Sequence, residues 1–535
     1  MRTLSIVALL LCLACPSPAD ASVFSETSLA GAKKALSATN STSGQQETAP
    51  AQLPPAATDG SAEAEHAAQL LQKGGAAAKS VRFDELTKTL SIEELSAEKD
   101  GVVFRIASIA WKDYSKDLIG QKNIAVPPLE AKDVEISTKT NDGLFTMKIG
   151  LAGISNLLID TSSAQPIRPL DGSSPLMGCT LRNVRLDYAA AKAEDNAKLE
   201  ISEAVFEKDS EDGKFRFKNL VFGAADSFAL QIGEGEGSGR TPEEYLALVQ
   251  RYSTTGNPDE LYAFFAGTLE QGGSLLEGFA SSLSLRDIRC DVKDEAGQNS
   301  ISIAEISTGL KKAGDKKVPY LNVQGLFLPQ GVFAALGIGD LFPQGDYIDF
   351  ALSGELAAGT FAPKAVLASR YTGELSVSAD TTFDTAKTAA ALRARSGNAA
   401  QNGEDAEKTA DAAMQAALDS LALHRAEAAY TDRGGIALAM RYAQRETGKD
   451  ADTLVTQAKL LAALAKTEND PVLKKLVDAC ADPLIAMLVK PGTLRFKADF
   501  PTPLTVNTTT VPQNYEPACE VEQGQKSLLD MLSGQ

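Results

Sequence analysis

A six-residue pattern that occurs three times constrains the fold more than any other feature of the sequence. It reads basic, small polar, β-branched, Arg, apolar, Asp, and it occupies residues 79–84, 182–187 and 286–291. Two further segments follow each copy in the same order, at 92–95 and 104–109, at 201–204 and 215–220, and at 303–306 and 321–326. The gaps between the segments vary, so the pattern indicates a duplicated structural unit and not a strict solenoid repeat.

These segments tend to alternate apolar with polar residues, which is typical of a strand with one buried face. Asp-Gly pairs at 100–101, 142–143 and 212–213 supply the positive φ of tight hairpin turns. Each unit therefore predicts a meander of about three antiparallel strands. The Arg and Asp of the first segment are expected to face solvent and to discourage edge-to-edge association. The alternative is that they form a ladder of charges that binds a polar ligand.

The predicted fold class is α+β: an extended, curved, predominantly antiparallel sheet built from repeated meander units, with covering helices and an α-helical C-terminal region. The β-rich repeat domain is expected at 79–380, and capping sequences predict helices that open at Thr241 and Asn257. A mostly helical region with a closing strand is expected at 381–500, and an extended tail at 501–535.

Helices are predicted at 331–341, 404–420 and 451–465, and another begins at Asp470-Pro471. Residues 421–431 are compatible with a strand that joins the sheet.

The first 21 residues predict a secretory signal peptide, with a basic Arg2, an apolar run over 4–14 and cleavage between Ala21 and Ser22. A lipoprotein site at Cys15 is the alternative. The apolar run is shorter than the roughly 20 residues that a membrane span needs, and no later segment approaches that length without charge. We therefore expect an exported protein, periplasmic or associated with the cell envelope, with no transmembrane span in its mature form.

Residues 22–78 are rich in Ala, Ser, Thr, Gln, Pro and Gly and poor in large apolar side chains. Such a composition buries too little surface to offset the entropy of ordering, so a disordered tether is predicted there. Residues 63–72 within it are compatible with a transient helix.

The chain carries 70 acidic and 52 basic residues, a net charge of −18. This charge repels nucleic-acid phosphates, and the counterion release that drives nucleic-acid binding is lost. The charge is therefore expected to serve solubility, and a nucleic-acid partner is excluded.

Four cysteines follow the predicted signal peptide: Cys179, Cys290, Cys480 and Cys519. An even number in an oxidising compartment predicts up to two disulfides, with three possible connectivities. The preferred pair is Cys480–Cys519, because both lie in the C-terminal region, and Cys179–Cys290 then follows by elimination. Buried free thiols are the alternative.

The sequence predicts no catalytic, cofactor-binding or metal-ligating residue. Its two histidines are His66 and His424, and no G-x-S-x-G motif accompanies them. The cysteines lack zinc-site spacing. The glycine-rich segment 233–239 lacks the Lys-Ser/Thr of a phosphate-binding loop and is predicted to be a flexible loop. The acidic segment 209–213 lacks EF-hand spacing and is predicted to be a solvated turn.

The layout resembles a loose class of uncharacterised bacterial envelope proteins with a signal peptide, repeated amphipathic meanders and an Ala-rich helical end. The three repeat copies and the segments 430–434 and 491–494 carry this resemblance, which covers most of the chain after Lys79. The resemblance implies an envelope location and no particular activity.

Three functional hypotheses follow. The preferred one is a non-enzymatic envelope protein whose amphipathic sheet binds a hydrophobic ligand, such as a lipid, or a partner protein. The second is a structural or interaction protein of the envelope. The third is a carboxylate-dependent hydrolase acting on cell-wall or glycan substrates, although no pair of acidic residues can be singled out for it.

Overall fold

The computed structural model describes residues 55–99, 101–115, 123–126, 128–140, 143–155, 157–160, 167–169, 177–190, 192, 196–208, 213–224, 228–239, 282–294, 297–313, 316–357, 359–397, 404–467, 469–505 and 511–533. The predicted signal peptide with its cleavage site, the lipoprotein alternative at Cys15 and the helices predicted at Thr241 and Asn257 lie outside these residues. The chain divides into two compact units, Met1–Val249 with Leu285–Gln298 (unit 1) and Gln250–Ser284 with Asn299–Gln535 (unit 2).

Unit 1 is mainly an antiparallel sheet. Its described strands are β1 (Ala57–Thr58), β2 (Ala76–Ala77), β3 (Ser80–Asp84), β4 (Thr89–Lys99), β5 (Val102–Trp111), β6 (Asn123–Val126), β7 (Leu129–Thr140), β8 (Gly143–Ser155), β9 (Leu157–Asp160), β10 (Ile167–Pro169), β11 (Met177–Ala190), β12 (Ala197–Lys208), β13 (Gly213–Ala224), β14 (Phe228–Gly239) and β15 (Ser282–Asp294). Pairing runs in the order β3-β4-β5-β7-β8-β11-β12-β13-β14. Strand β1 is parallel to β3, and β6, β9 and β10 form a separate small sheet.

Every long strand from β4 to β14 leaves one residue out of the pairing register, and these residues lie opposite one another. We call this set the crease row: Glu94, Ala107, Asp133, Gly150, Asn183, Ser202, Asn219 and Gly233. On alternate strands the crease residue is left-handed, with φ near +50° at Glu94, Asp133, Asn183 and Asn219. Asn and Asp tolerate that conformation better than other non-glycine residues.

The partners of the left-handed residues in the crease row are small because the space between strands is limited there. A Cβ on Gly150 would lie 3.2 Å from the Cβ of Asn183, and one on Gly233 would lie 2.9 Å from the Cβ of Asp287 on β15. The Asn219 amide nitrogen donates to Ser202 Oγ at 3.1 Å. The crease row therefore requires small residues on one set of strands and residues that tolerate a left-handed backbone on the other.

The crease row keeps the apolar side chains on one face. An inserted residue reverses the alternation of a strand, so the apolar residues on either side of each crease are three positions apart, as in Ile106 and Ile109 or Leu181 and Val184. All four of these side chains are buried in the core of unit 1.

Helix α1 (Ala62–Lys73) covers the start of this sheet. Ser61 caps it by accepting a hydrogen bond from Ala64 N, and Ala64 and Ala67 are buried against the sheet. The predicted disordered tether is therefore wrong for residues 55–78, which form β1, α1 and β2. Small alanines suffice for burial here because the helix lies close to the sheet, and composition alone does not indicate such a contact.

Unit 2 combines an antiparallel sheet with helices. Its strands are β16 (Gly297–Ala313), β17 (Lys316–Leu328), β18 (Asp346–Ala357), β19 (Thr360–Ser369), β20 (Gly373–Thr382), β21 (Ala422–Asp432), β22 (Gly492–Thr505) and β23 (Glu516–Gln523), paired in sequential order. Its described helices are α2 (Gln330–Ala335), α3 (Thr385–Gly397), α4 (Glu404–Asp419), α5 (Gly435–Thr447), α6 (Ala451–Ala465), α7 (Pro471–Val489) and α8 (Leu528–Ser533), with a 3₁₀ turn at Gly339–Leu341. None of the helices among the described residues is long and apolar enough to cross a membrane.

The α+β class and the mostly antiparallel sheet are confirmed. Apart from Lys79, all nine predicted repeat segments lie within strands: β3, β4 and β5 for the first copy, β11, β12 and β13 for the second, and β15, β16 and β17 for the third. Asp450 caps α6 and Asp470 caps α7, each by accepting backbone N–H bonds. The predicted extended tail at 501–535 instead includes the edge strand β23 and helix α8, whose Leu528 is buried.

A substitution at Asn183 tests the crease row. The side chain of Asn183 is exposed, so Asn183→Ala mainly forces an alanine into the left-handed region, which costs about 1 kcal/mol. We expect the free energy of unfolding of unit 1 to fall by that amount in chemical denaturation followed by Trp111 fluorescence. Asn183→Gly is the control, and we expect it to unfold at the wild-type denaturant concentration or above. Equal midpoints for the Ala and Gly variants would contradict the role given to the crease.

Candidate functional site

The sheet of unit 2 presents one apolar face, arranged in rows that run across the strands. One row follows direct cross-strand partners from β17 to β23: Val323, Phe350, Leu367, Leu375, Tyr430, Leu494 and Val521. The next row on the same face is Leu321, Leu352, Ala365, Val377, Ala428, Phe496 and Cys519. Period-two alternation in each strand produces both rows.

Part of this face is open to solvent. Leu352, Leu367, Leu375 and Val377 are 41%, 47%, 41% and 44% exposed, although they lie on the adjacent strands β18, β19 and β20. We call these four side chains the open patch. Direct cross-strand neighbours on one face lie about 5 Å apart, so the open patch is contiguous.

Helix α7 covers the other end of the same face. Its Cys480 forms a disulfide with Cys519, which lies on the apolar face of β23. The Tyr515 hydroxyl donates to the carbonyl oxygen of Val472 on α7, and Lys475 Nζ donates to the Gln513 carbonyl oxygen at 2.6 Å. The predicted Cys480–Cys519 pair is therefore present, and it attaches α7 to the strand beneath it.

A small helical core accompanies this cover. Ala437 and Met440 of α5, Ala451 of α6 and Leu528 of α8 are buried together, with Leu488 of α7 packed against them. The C-terminal helices therefore pack against the end of α7 that carries Leu488.

The opposite face of the unit 2 sheet is polar and paired. Asp499 lies 2.8 Å from Lys497 Nζ and 2.7 Å from Arg425 Nε, and these two cations hold the pKa of Asp499 below its usual value. Arg433 pairs with Glu374 at 3.1 Å. The sheet of unit 2 is thus amphipathic, with one charged side and one apolar side.

His424 lies next to this sheet and makes a structural contact. Its Nε2 is 2.9 Å from Thr382 Oγ1 on the neighbouring strand, where the β20–β21 pairing is irregular. No cluster of three His, Cys, Asp or Glu ligands that could hold a metal ion forms around it or elsewhere among the described residues.

A polar corner joins β20, β21 and α5. The Tyr430 hydroxyl lies 2.6 Å from the Thr372 carbonyl oxygen and 3.0 Å from Asp432 Oδ1. Burial, and then the charge of Asp432, raise the pKa of Tyr430 well above its usual value. The Asp432 carboxylate also accepts from Gly434 N and Ile436 N and so caps α5. Helix α5 was not predicted, although Asp432 is a capping residue type that lies four positions before Ile436.

The predicted Cys179–Cys290 disulfide is wrong. Cys179 lies on β11 and Cys290 on β15, and strands β12, β13 and β14 separate them. Four steps of about 4.8 Å between strands far exceed the roughly 7 Å limit for the Cα atoms of a disulfide. Elimination failed because it assumed that every cysteine is oxidised.

In the second and third repeat copies, the repeated Arg and Asp residues pair with each other on the exposed side of unit 1. Arg185 lies 2.6 Å from Asp187, and Arg289 lies 3.0 Å from Asp291. Arg182 pairs across the strands with Glu203 at 3.1 Å. These charges are mutually satisfied, as expected of a solvated sheet face, and exposed pairs of this kind contribute little to stability.

The glycine-rich segment 233–239 is part of strand β14, and the predicted flexible loop is therefore wrong. Its glycines make room for neighbouring side chains: a Cβ on Gly235 would lie 2.2 Å from the Phe217 ring. The acidic turn predicted at 209–213 lies outside the described residues except for Gly213.

Comparison with known proteins adds a partial match. A family model described as "Uncharacterized protein" matches residues 372–517. The match begins at Thr372, in the polar corner, and ends at Pro517 in β23. It therefore includes α7 and strands β21 and β22. No curated protein matches the chain.

The disulfide prediction can be tested by Cys480→Ser. The residues are 39 positions apart, and the chain-entropy model assigns such a loop about 4 kcal/mol. We expect thermal unfolding of the oxidised protein to shift to markedly lower temperature, and non-reducing peptide mapping to recover the 480–519 pair. The control is Cys290→Ser, for which we expect little change. A peptide linking 179 to 290 would contradict the assignment.

Proposed function

We propose that the protein is an exported, non-enzymatic component of the bacterial cell envelope that binds the acyl chain of a lipid on the apolar face of unit 2. The observation that carries this proposal is the open patch: four large apolar side chains, each more than 40% exposed, on three adjacent strands. Contiguous apolar surface of this kind marks ligand or interaction sites in folded proteins.

The shape of the face supports a chain-like ligand. Beside the rows of large residues, a third row on the same face holds only small ones: Gly354, Pro363, Ala379, Ala426 and Ala498. Small side chains between large ones leave a trough, but the Phe361 ring fills it over Gly354, where a Cβ would lie 2.4 Å from the ring. The remaining trough runs from Pro363 to Ala498, which is 3% exposed. Three strand steps of about 4.8 Å make it roughly 14 Å long.

The fixed cover over β23 also supports this function. Because the disulfide attaches α7 to the strand beneath it, the covered end of the face is held in place while the open end stays accessible. A preformed apolar site limits the ordering cost of binding. A partner protein is the competing occupant, and native mass spectrometry distinguishes it from a lipid.

Export rests on the signal-like N terminus and on the disulfide. Stable disulfides form in oxidising compartments outside the cytoplasm, so Cys480–Cys519 fits a periplasmic or envelope location. The resemblance to envelope proteins with repeated meanders points the same way.

Lipid binding is tested with the double variant Leu367→Asp and Leu375→Asp. Two carboxylates on the open patch oppose burial of an acyl chain, so we expect affinity for a fluorescent fatty acid to fall at least tenfold. Because both side chains are partly solvated, we expect circular dichroism to remain that of the wild type. The matched control is Leu86→Asp, since Leu86 is 95% exposed in a turn of unit 1.

Two results would count against the proposal. One is equal affinity in the double variant and the wild type. The other is a wild-type protein that binds no fatty acid and carries no lipid in native mass spectrometry but retains a protein partner lost in the double variant. The second result would assign the open patch to protein binding.

Export is tested by the mass of the mature protein. We expect the full-length chain, expressed in a bacterium with its own N terminus, to reach the periplasmic fraction with its first residue at Ser22. An intact mass that retains residues 1–21 would contradict export by this signal. A lipid-modified N-terminal Cys15 would favour the lipoprotein alternative.

A further inference from the structure

An aromatic cluster lies at the start of the unit 1 sheet, in the same buried core as α1. Trp111 ends β5, Tyr114 follows it, and their ring centroids are 5.1 Å apart in an edge-to-face arrangement. Phe83 of β3 lies 6.3 Å from Tyr114 in a similar geometry. Tyr114 N donates to the Lys88 carbonyl oxygen at 2.9 Å, which fixes the loop that carries the tyrosine.

Three polar atoms of this core are buried without a hydrogen-bond partner among the described residues: His66 Nε2, Trp111 Nε1 and Tyr114 Oη. Trp111 is 7% exposed and Tyr114 is 2% exposed. Each buried group that lacks a partner lowers stability by about 1–3 kcal/mol, and native cores rarely hold several together. Trp Nε1 donates only, and a tyrosine hydroxyl donates readily, so this cluster offers hydrogen-bond donors in apolar surroundings.

We propose that Trp111 Nε1–H and Tyr114 Oη–H form a binding site for the carbonyl oxygen of a neutral acyl ester, beneath α1. A carbonyl oxygen accepts two hydrogen bonds and requires none in return, which matches two donors in a wall of apolar side chains. Phe83 and the alanines of α1 supply the apolar contacts for the rest of the ligand. Nothing in this site depends on the open patch of unit 2; the two share only the acyl chemistry of the ligand.

The charge near the site favours a neutral ligand over a carboxylate. Burial, and then the negative charge of Glu63 on α1, raise the pKa of Tyr114 to about 12. The phenol is therefore neutral and able to donate at physiological pH. The same Glu63 charge would repel an anionic head group.

A glycine lies near each end of α1. Gly60 and Gly75 have φ of +83° and +75°, and no atom lies within 4 Å of the position that a Cβ would occupy on either one. Glycine adopts these left-handed conformations without strain, so the chain turns from β1 into the helix and from the helix into β2 at these two residues.

The protein has one tryptophan, so fluorescence excited at Trp111 reports on this site alone. We expect methyl laurate to change the Trp111 emission of the full-length, delipidated protein in a saturable way. Dodecane, which lacks an acceptor, should give no saturable change, and lauric acid should bind more weakly than the ester. The Leu367→Asp, Leu375→Asp variant should keep the response to the ester, which separates this site from the proposed function.

Tyr114→Phe removes one donor and keeps the ring. Loss of one hydrogen bond to the ligand should weaken ester binding about tenfold, while the thermal unfolding temperature stays at or above that of the wild type, because the hydroxyl has no protein partner. Tyr515→Phe is the matched control: its hydroxyl is already bonded to Val472 O, so it should lower stability and leave ester affinity unchanged.

Three results would overturn the proposal. They are an unchanged Trp111 spectrum at saturating ester, equal ester affinity in Tyr114→Phe and the wild type, and an equal response to dodecane and ester. An unchanged spectrum would mean that an internal water, and not an ester, occupies the two donors. An equal response to dodecane would mean that the ligand only partitions into apolar surroundings.

Discussion

Unit 1 depends on keeping the apolar side chains of every strand on the same face of the sheet. A strand that gains one residue turns every later side chain to the opposite face, and an isolated insertion in one strand would therefore expose half of its apolar residues. Unit 1 avoids this because consecutive strands leave out one residue at the same level. The left-handed residues of the crease row and their small partners make that shared irregularity possible.

The apolar faces of the two units differ in how far they are closed. In unit 1 the face is packed, and Leu90, Ile106, Ile149 and Val134 are almost fully buried. What this core leaves unsatisfied is a set of polar atoms without a hydrogen-bond partner among the described residues. In unit 2 the face is closed by α7 at one end and left open at β18–β20. Exposed apolar area carries a free-energy cost of roughly 25 cal/mol per Å². A ligand that covers the open patch is stabilised by removing that cost for the area it buries.

Much of the local structure could be predicted because it depends on short-range patterns. Alternation placed the nine repeat segments in strands, apart from Lys79, and Asp470-Pro471 gave the start of α7. The four-residue segments Ile92–Leu95, Ile201–Ala204 and Ile303–Ile306 already showed the three-residue apolar spacing of the creases. That spacing departs from the two-residue period of a regular strand, so a search for strict alternation of apolar and polar residues misses it.

Features set by tertiary contact could not be predicted in this way. Helix α1 is stable because alanines pack closely on the sheet, and the glycines of β14 are there to admit Phe217 and Asp287. Sequence composition indicates flexibility in both places. The open patch was likewise missed, since alternation shows that Leu367 and Leu375 share a face but not whether a helix covers them.

The polarity of each proposed site determines what kind of ligand it can distinguish. The open patch and its trough consist of apolar carbon, so they select by shape and length and distinguish head groups poorly. Trp111 and Tyr114 offer donors whose burial without a partner is costly, so they reject a ligand that lacks an acceptor. A site of the first kind tolerates a range of acyl chains, whereas a site of the second kind recognises a single functional group.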